Sequence, residues 1–249
     1  MNGFEMHGIK HSSISQINKW IDCPAAWVMS YLFNNKGSSS PAMWRGIFTE
    51  QAVADTITGK MKIDKAIKNA LKDFDGKTLF DDGSSAKERA NIEPMTKLAV
   101  EALEPYGKPN FPEDGQHRVS MNAKGENWGL EFMGYIDFKF PDHNLIIDLK
   151  TTMRMPSVMS IGHQRQRAFY QKSNGNAEVK FLYVTPKKCE FKEDGDVNEL
   201  MAEIKIHLTR QEAFLRLGDK EFIASVVPVN RDSFYWRGNE KVRKELFGI

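Results

Sequence analysis

The sequence predicts an α/β fold with a central mixed β-sheet flanked by helices. Residues 12–107 carry apolar side chains at helical spacing, which favours a helical amino-terminal part. Short alternating segments between about 115 and 190 are typical of strands, and one helix-like segment separates two of them. Residues 196–249 favour a long helix and a tail. Because no internal repeat or long linker interrupts this order, the sequence predicts one domain over residues 1–249.

Composition indicates a globular protein, and a cytoplasmic location is the default expectation. The chain has 249 residues, of which 41% are hydrophobic and 27% charged, and its formal net charge is +2. No apolar run is long enough to cross a bilayer, and the start lacks the apolar core of a signal peptide. We therefore expect no membrane association. Cys23 and Cys189 are the only cysteines, which argues against a zinc knuckle or a disulfide framework.

The amino-terminal helices follow from capping and breaking residues. Residues 1–11 are expected to be a loose leader. Ser13 and Gln16 have the spacing of a capping box, and the apolar residues that follow have helical spacing. Pro24 breaks this helix and begins another, because proline is tolerated in a first turn. Cys23 is expected to be a buried packing thiol.

A helix from Pro41 to Gly59 carries the first candidate site residue, Glu50. Residues 34–40 before it form a polar loop rich in glycine and serine. Gly46 lies four residues before Glu50, and its missing side chain is expected to let the helix approach the sheet closely. Further helices are predicted between 61 and 107, separated by turns at 73–76 and 81–83.

The strands begin near Gly115 and continue to about residue 185. The sequence predicts, in chain order, a strand at 117–121, a turn at 123–126, a strand at 128–140, a turn at 141–144 and a strand at 145–151. The remaining predictions are a helix at 158–172, a strand at 178–185, a turn at 186–188, a helix at 197–217 and a strand or extended arm at 222–229.

The hairpin formed by 134–152 carries acidic residues and a lysine. Asp137 lies on its first strand, and Asp148 and Lys150 lie two apart on its second. Strand side chains alternate, so Asp148 and Lys150 share one side, expected to face solvent, while Ile147 and Leu149 face the other. Carboxylates beside a lysine form a candidate site for a hard cation such as Mg²⁺. The alternative is an exposed strand face with an incidental ion pair.

Four ordered features resemble the PD-(D/E)XK nuclease superfamily. Asp137 followed by Asp148-Leu149-Lys150 is similar to its catalytic hairpin, although Ile136 replaces the proline before the first acid. The segment from Ser13 to Trp27, with its Cys-Pro pair, resembles the start of RecB-like nucleases. Gly46 with Glu50, and Gln166 with Tyr170, complete the resemblance to the RecB-like and lambda-type phage exonuclease branch. It spans residues 13–170.

The resemblance implies a metal-dependent active site. The implied catalytic residues are Lys150, Asp148, Asp137 and Glu50. The implied metal ligands are Glu50, Asp137, Asp148 and the backbone carbonyl of Leu149, with Mg²⁺ or Mn²⁺ as the ion. An iron–sulfur cluster, which some RecB-like nucleases carry, is not expected because two cysteines cannot supply four thiolates.

Nucleic-acid contacts are expected on the helix after the hairpin and nearby. Between Leu149 and Cys189 the chain has eight Lys or Arg residues and one acid, which suits a polyanionic partner. The expected DNA-binding residues are Gln166, Tyr170, Arg165, Arg167, Arg45 and Ser13. His163 is expected at the surface or facing DNA rather than as a metal ligand. The aromatic residues within 232–236 are expected to pack, with stacking on unpaired bases as the alternative.

The implied function is a magnesium-dependent DNA exonuclease, a phosphodiester hydrolase of phage or bacterial DNA recombination, repair or degradation. The alternatives are a structure-specific or restriction-type endonuclease, an inactive nucleic-acid-binding protein, and a structural subunit. DNA is the expected partner, and the absence of a P-loop pattern argues against a nucleotide cofactor. A second copy of the chain, or a recombination or helicase protein, remains open as a partner. A phage-encoded chain would work in the host cytoplasm.

Overall fold

Helices and two mixed β-sheets build the molecule, in agreement with the predicted α/β class. The computed structural model describes residues 1–78, 83–112, 116–122 and 130–249. Most of the predicted turn at 81–83, the predicted turn at 123–126 and the predicted strand beginnings at Gly115 and Trp128 lie outside the described residues.

The helices and strands have the following bounds. The helices are α1 Gly3–Met6, α2 Ile14–Asp22, α3 Pro24–Tyr31, α4 Pro41–Ile57, α5 Ile63–Lys77, α6 Ser85–Arg89, α7 Ile92–Leu103, α8 Ile161–Ser173, α9 Val197–Leu215, α10 Lys220–Val226 and α11 Glu240–Phe247. The strands are β1 His11–Ser12, β2 His117–Asn122, β3 Glu131–Ile136, β4 Phe138–Phe140, β5 Leu145–Thr151, β6 Glu178–Val184 and β7 Cys189–Lys192. Across these described parts, no helix combines the length and the apolar character that crossing a membrane requires.

The strands form two sheets where the sequence predicted one. In the first, the order is β1-β3-β2; in the second it is β4-β5-β6-β7, with β5 and β6 parallel. The chain changes sheet at Asp137: Ile136 is the last β3 residue paired with β2, and Phe138 begins the pairing with β5. The predicted strand at 128–140 is therefore two strands, and Asp137 belongs to neither ladder.

The four-stranded sheet lies between two helical layers. On one face, Ile146 and Phe181 belong to a core that also contains Phe169 and Tyr170 of α8. On the other face, Ile147 and Leu149 join a core with residues of α4 and α7. This division confirms the predicted alternation along β5, because successive side chains enter different cores.

Several predicted helix beginnings are confirmed. The Ser13 side chain accepts a hydrogen bond from the Gln16 N–H at the start of α2, Pro24 begins α3, and Pro41 begins α4 after the capping residue Ser40. Cys23 is fully buried, as expected of a packing thiol. These ends follow from local side-chain chemistry, which explains why they are predictable.

The predictions for the two ends of the chain were wrong. Residues 1–11 contain the short helix α1, whose Asn2 and Glu5 form a capping box and whose Phe4 is buried. Residues 222–229 contain most of the helix α10 instead of a strand, and Asp219 caps that helix by accepting a hydrogen bond from the Phe222 N–H.

Two internal predictions also differ from the structure. The turn predicted at 73–76 is part of α5, because Phe74 is fully buried and holds the helix against its neighbours. The strand β7 was not predicted, although it pairs with β6 along the edge of the second sheet. Helix α8 begins at Ile161 rather than at 158.

Candidate active site

Acidic side chains from three separate elements define the candidate site. Glu50 lies in the middle of α4, Asp137 lies at the junction of the two sheets, and Asp148 lies on β5. Helix α4 comes close to the end of β5 through Gly46, where an added Cβ would lie 3.3 Å from the Thr151 hydroxyl. The close approach predicted for this glycine is therefore observed, and it brings Glu50 towards the strand.

Asp137 occupies a gap in the hydrogen-bond ladder. Its Oδ2 accepts a hydrogen bond of 2.8 Å from the Leu149 N–H, which lies beyond the last residue that β4 pairs. The carboxylate thus replaces the carbonyl of a neighbouring strand. The side chain is 5% exposed, so this contact satisfies a buried backbone donor and fixes the carboxylate beside β5.

Gln116 connects two of the carboxylates. Its amide nitrogen donates to Glu50 Oε1 at 2.5 Å and to Asp137 Oδ1 at 2.8 Å. Sequence reasoning missed Gln116, since the glutamine stands 66 positions from Glu50 and no local motif marks it. The Gln116 amide is thus a hydrogen-bond donor that Glu50 and Asp137 share.

Asp148 and Lys150 form an ion pair on the α8 side of the sheet. Contrary to the expectation of a solvent-facing pair, Asp148 is 1% exposed, and the Lys150 side chain retains 24%. The physical reason is that α8 covers this face of β5. The Lys150 amine also lies 5.3 Å from the centre of the Phe181 ring.

Burial and mutual repulsion alter the charge state of the acids. Burial raises the pKa of Glu50 to about 7, and the nearby Asp148 carboxylate contributes to the same shift. Burial, followed by Asp148 and Glu50, raises the pKa of Asp137 well above its usual range. Burial also raises the pKa of Asp148, although Lys150 opposes that shift. The three acids therefore resist carrying three negative charges together.

Gln166 and Tyr170 reach the same site from α8. The Gln166 amide donates to Asp148 Oδ1 at 3.4 Å and to the Tyr170 hydroxyl at 2.7 Å. The Tyr170 hydroxyl in turn donates to the Tyr135 carbonyl on β3. The two residues four apart share one helix face, and together they connect Asp148 to the first sheet.

The arginines expected at DNA phosphates have partners inside the protein. Arg165 is 5% exposed and donates to both carboxylate oxygens of Glu203, at 3.0 and 2.7 Å. Arg167 donates to two backbone carbonyls, and the buried Arg45 pairs with Glu88. A buried guanidinium requires such partners, so these contacts correct the expectation that Arg45 and Arg165 are available to phosphates. For the half-buried Arg167, contact with a phosphate stays a prediction.

Ser13 and His163 line the cleft that contains Asp148 and Lys150. Ser13 also caps α2, so its hydroxyl already accepts one hydrogen bond. His163 contacts the Tyr183 hydroxyl through Nδ1 at 2.5 Å, a contact that sequence reasoning missed. Burial, and to a lesser extent the charge of Lys150, lowers the pKa of His163 to about 4, so the ring is neutral at physiological pH.

Two clefts meet at the carboxylates. One has a volume of about 540 Å³ and contains Asp148, Lys150 and Gln166. The other has a volume of about 850 Å³ and contains Glu50 together with Lys60 and Lys108. Gln116 and Asp137 line both clefts, so they form the wall between them.

The arrangement does not amount to a ready-made metal cage. Within residues 1–78, 83–112, 116–122 and 130–249, no group of three or more His, Cys, Asp or Glu side chains is arranged to hold an ion as it stands. Glu50 and Asp137 instead share the Gln116 amide. The donor chemistry nevertheless fits a hard cation, because carboxylate oxygens with raised pKa values gain from a neutralising charge.

Comparison with known proteins adds no assignment, since neither the protein-family models nor the curated proteins contain a match for this chain.

Proposed function

We propose that the protein is a metal-dependent deoxyribonuclease that acts as an exonuclease. The observation that carries the proposal is the convergence of Glu50, Asp137 and Asp148 on one site, with the Lys150 amine beside Asp148. The resemblance to RecB-like and lambda-type nucleases supports the choice of reaction and is the only support for the exonuclease mode. Such an enzyme would meet its DNA substrate in the cytoplasm, including that of a phage host.

Glu50, Asp137 and Asp148 are the side chains that would hold Mg²⁺ or Mn²⁺. In an antiparallel ladder a residue directs its N–H and C=O to the same neighbour. The Leu149 N–H points to Asp137, and we therefore infer that the Leu149 carbonyl faces the same side and adds an oxygen ligand. When bound, the ion would supply an activated water and neutralise charge on the phosphate.

Lys150 would act as a fixed cation and hydrogen-bond donor. Burial favours the neutral amine, but Asp148 and Asp137 outweigh it, so the pKa of Lys150 is raised. The residue therefore remains an ammonium group at neutral pH. From this position it can hold the attacking water or stabilise the negative charge that develops on the phosphoryl oxygens.

Gln166 and Tyr170 would serve as positioning residues. They fix Asp148 from the helix side, and because both line the cleft they would also contact the bound DNA strand. Ser13 lies in the same cleft, and its hydroxyl, which also contacts the Gln16 N–H and the Ser15 hydroxyl, would lie beside a bound strand.

The direct test uses end-labelled linear DNA and covalently closed circular DNA, each with Mg²⁺, Mn²⁺ or a chelator. We expect progressive shortening of linear DNA, intact circles and no reaction with the chelator. Asp148→Asn and Lys150→Ala should each lower the rate by about a hundredfold or more. Asp142→Asn in the exposed turn of the hairpin and Lys180→Ala on β6 are matched controls that should keep the wild-type rate.

Each other outcome has a definite meaning. Cleavage of closed circles would assign an endonuclease on the same site. If the protein bound DNA in a salt-dependent manner without hydrolysis under any of these conditions, the enzymatic proposal would be wrong and a binding protein would replace it.

A further inference from the structure

The aromatic residues near the carboxyl end differ in exposure: one is buried and another faces outward. They lie in a 3₁₀ turn, Phe234–Trp236, where Trp236 is 2% exposed and donates through its indole N–H to the Asn230 carbonyl at 2.8 Å. Phe234 is 58% exposed, and its ring centre lies 4.0 Å from that of the half-buried Tyr235. Trp236 thus anchors the turn, and Phe234 is held outward on it.

The turn belongs to the edge of the candidate active site. Tyr235 lines the same cleft as Asp148 and Lys150, although it lies 85 positions further along the chain than Lys150. A strand held in this cleft would therefore pass the turn. The expectation that the whole aromatic segment packs is correct for Trp236 and wrong for Phe234.

Lysines lie beside the aromatic rings at this edge. The Lys19 amine lies 5.0 Å from the centre of the Tyr235 ring and 5.8 Å from that of Tyr31. The amine of the exposed Lys36 lies over the Tyr31 ring, 4.0 Å from its centre. The loop that carries Lys36 is joined to the tail, because the Ser38 N–H donates to Asn239 Oδ1 at 3.3 Å.

The cleft itself offers few charges to a phosphate backbone. Lys150 is the only lysine or arginine among the described residues that line it. The nearby arginines 165 and 167 are occupied by Glu203 and by backbone carbonyls. Duplex DNA exposes phosphates and keeps its bases stacked, so an arrangement of rings with few cations favours unpaired nucleotides.

We propose that this edge, formed by Lys19, Tyr31, Lys36, Phe234 and Tyr235 and here named the aromatic rim, binds an unpaired DNA strand whose end enters the cleft. An exposed base stacks on Phe234, and the lysines contact the adjoining phosphates. This proposal rests on the proposed nuclease function, because cleavage of the bound strand end requires that activity. It specifies a single-stranded or frayed end as the substrate.

The test measures binding alone, in a buffer with a chelator so that no metal-dependent hydrolysis occurs. Full-length protein is titrated into a labelled single-stranded oligonucleotide of about 16 nucleotides and into a blunt duplex of the same length. Phe234→Ala should weaken single-strand binding about tenfold and leave duplex binding unchanged. Phe222→Ala on α10 removes a phenylalanine that is 49% exposed and lies outside the rim, so it should change neither affinity.

A second variant tests the charges of the rim. Lys36→Gln should reduce the dependence of single-strand affinity on salt by about 0.7 in the logarithmic slope, the value for one phosphate contact. Lys241→Gln is the matched control, since its side chain is 88% exposed on α11.

The outcomes separate the rim from the nuclease proposal. If Phe234→Ala binds the single strand as tightly as the wild type does, or loses duplex binding equally, the rim proposal is overturned, and a protein partner becomes the better occupant of the exposed ring. Digestion of DNA by the wild type would still support the nuclease in that case. The expected binding pattern in a protein that digests no DNA would support the rim and contradict the nuclease.

Discussion

Lys150 and His163 lie close together in one cleft, yet Lys150 is cationic and His163 is neutral. The carboxylates of Asp148, Asp137 and Glu50 outweigh the effect of burial on Lys150, so its pKa is raised. His163 has the Tyr183 hydroxyl as its partner, and burial, followed by the charge of Lys150, lowers its pKa. The partner of each side chain therefore decides which of the two is cationic.

His163 should make the fold sensitive to acid. Its pKa falls from 6.5 to about 4 in the folded state, so between these values the unfolded chain binds the proton more readily. The contribution of His163 therefore lowers the free energy of unfolding as the pH falls from 6.5 towards 4. Between pH 7 and pH 5, the free energy of unfolding of His163→Gln should decrease less than that of the wild type. Urea denaturation at each pH measures this difference.

The matched control for this prediction is His143→Gln, which changes an exposed histidine in the turn before β5. It should show the pH dependence of the wild type. If His163→Gln loses as much stability between the two pH values as the wild type does, His163 is not the group responsible.

Some site residues are predictable from local spacing, and others require the folded chain. Gln166 and Tyr170 are four apart, so the helical period alone places them on one face. Gln116, the residue before β2, contacts Glu50 only in the folded chain, and nothing nearby in the sequence indicates that contact. Likewise Arg165 finds Glu203 on α9, a partner 38 positions away.

Among the elements, α8 depends on a glycine in β3 for its position. A Cβ at Gly134 would lie 2.8 Å from the Tyr170 ring and 2.9 Å from the Phe169 ring. Gly134→Ala should therefore push α8 away, lower the free energy of unfolding by about 1–3 kcal/mol, and displace Gln166 from Asp148. Chemical denaturation measures the first effect, and the nuclease assay measures the second.

Gly76→Ala provides the control. Gly76 lies in α5, and an added Cβ there would meet nothing within 4 Å. This substitution should raise the free energy of unfolding by about 0.5–1 kcal/mol, because alanine loses less backbone freedom in a helix. A Gly134→Ala variant as stable as the wild type would show that α8 does not depend on this close approach.

The elements that the sequence failed to predict carried ambiguous signals. Residues 222–229 contain apolar and β-branched residues, which favoured a strand, but Asp219 supplies the helix cap. At the start of the chain, Asn2 and Glu5 have capping-box spacing, a local signal that was available and was missed. The edge strand β7 has mostly half-exposed residues, so no apolar alternation marks it.

For the molecule as a whole, the proposed metal site would connect α4, the sheet junction and β5 through Glu50, Asp137 and Asp148. A divalent cation bound there should stabilise the entire fold, because it binds the folded chain and not the unfolded one. Mg²⁺ at about a hundredfold excess over its dissociation constant should add about 2.7 kcal/mol to the free energy of unfolding. Calorimetry with and without Mg²⁺ measures the corresponding rise in melting temperature.

Asp137→Asn should reduce this Mg²⁺-dependent rise, whereas the turn variant Asp142→Asn should keep it. An identical rise in Asp137→Asn and the wild type would remove Asp137 from the metal site. A wild-type protein that melts at the same temperature with and without Mg²⁺ or Mn²⁺ would contradict the metal site altogether.

The α/β class of the fold was predictable from the sequence, but the division of its strands into two sheets was not. Periodicity distinguished the helical region from the strands, because each period reflects one buried face. The separation into two sheets depends on where β3 leaves its partner β2, and pairing of this kind is invisible to a pattern read along one strand.

The junction at Asp137 also limits how the chain can change in length. An extra residue inserted early in β5 would turn the following side chains of that strand to the opposite face, exchanging Asp148 for one of its apolar neighbours. The exposed 3₁₀ turn Pro141–His143, by contrast, can lengthen without altering which side chains face α8. We therefore expect the tip of this hairpin to accept insertions and deletions, and an insertion in β5 to disrupt the candidate site.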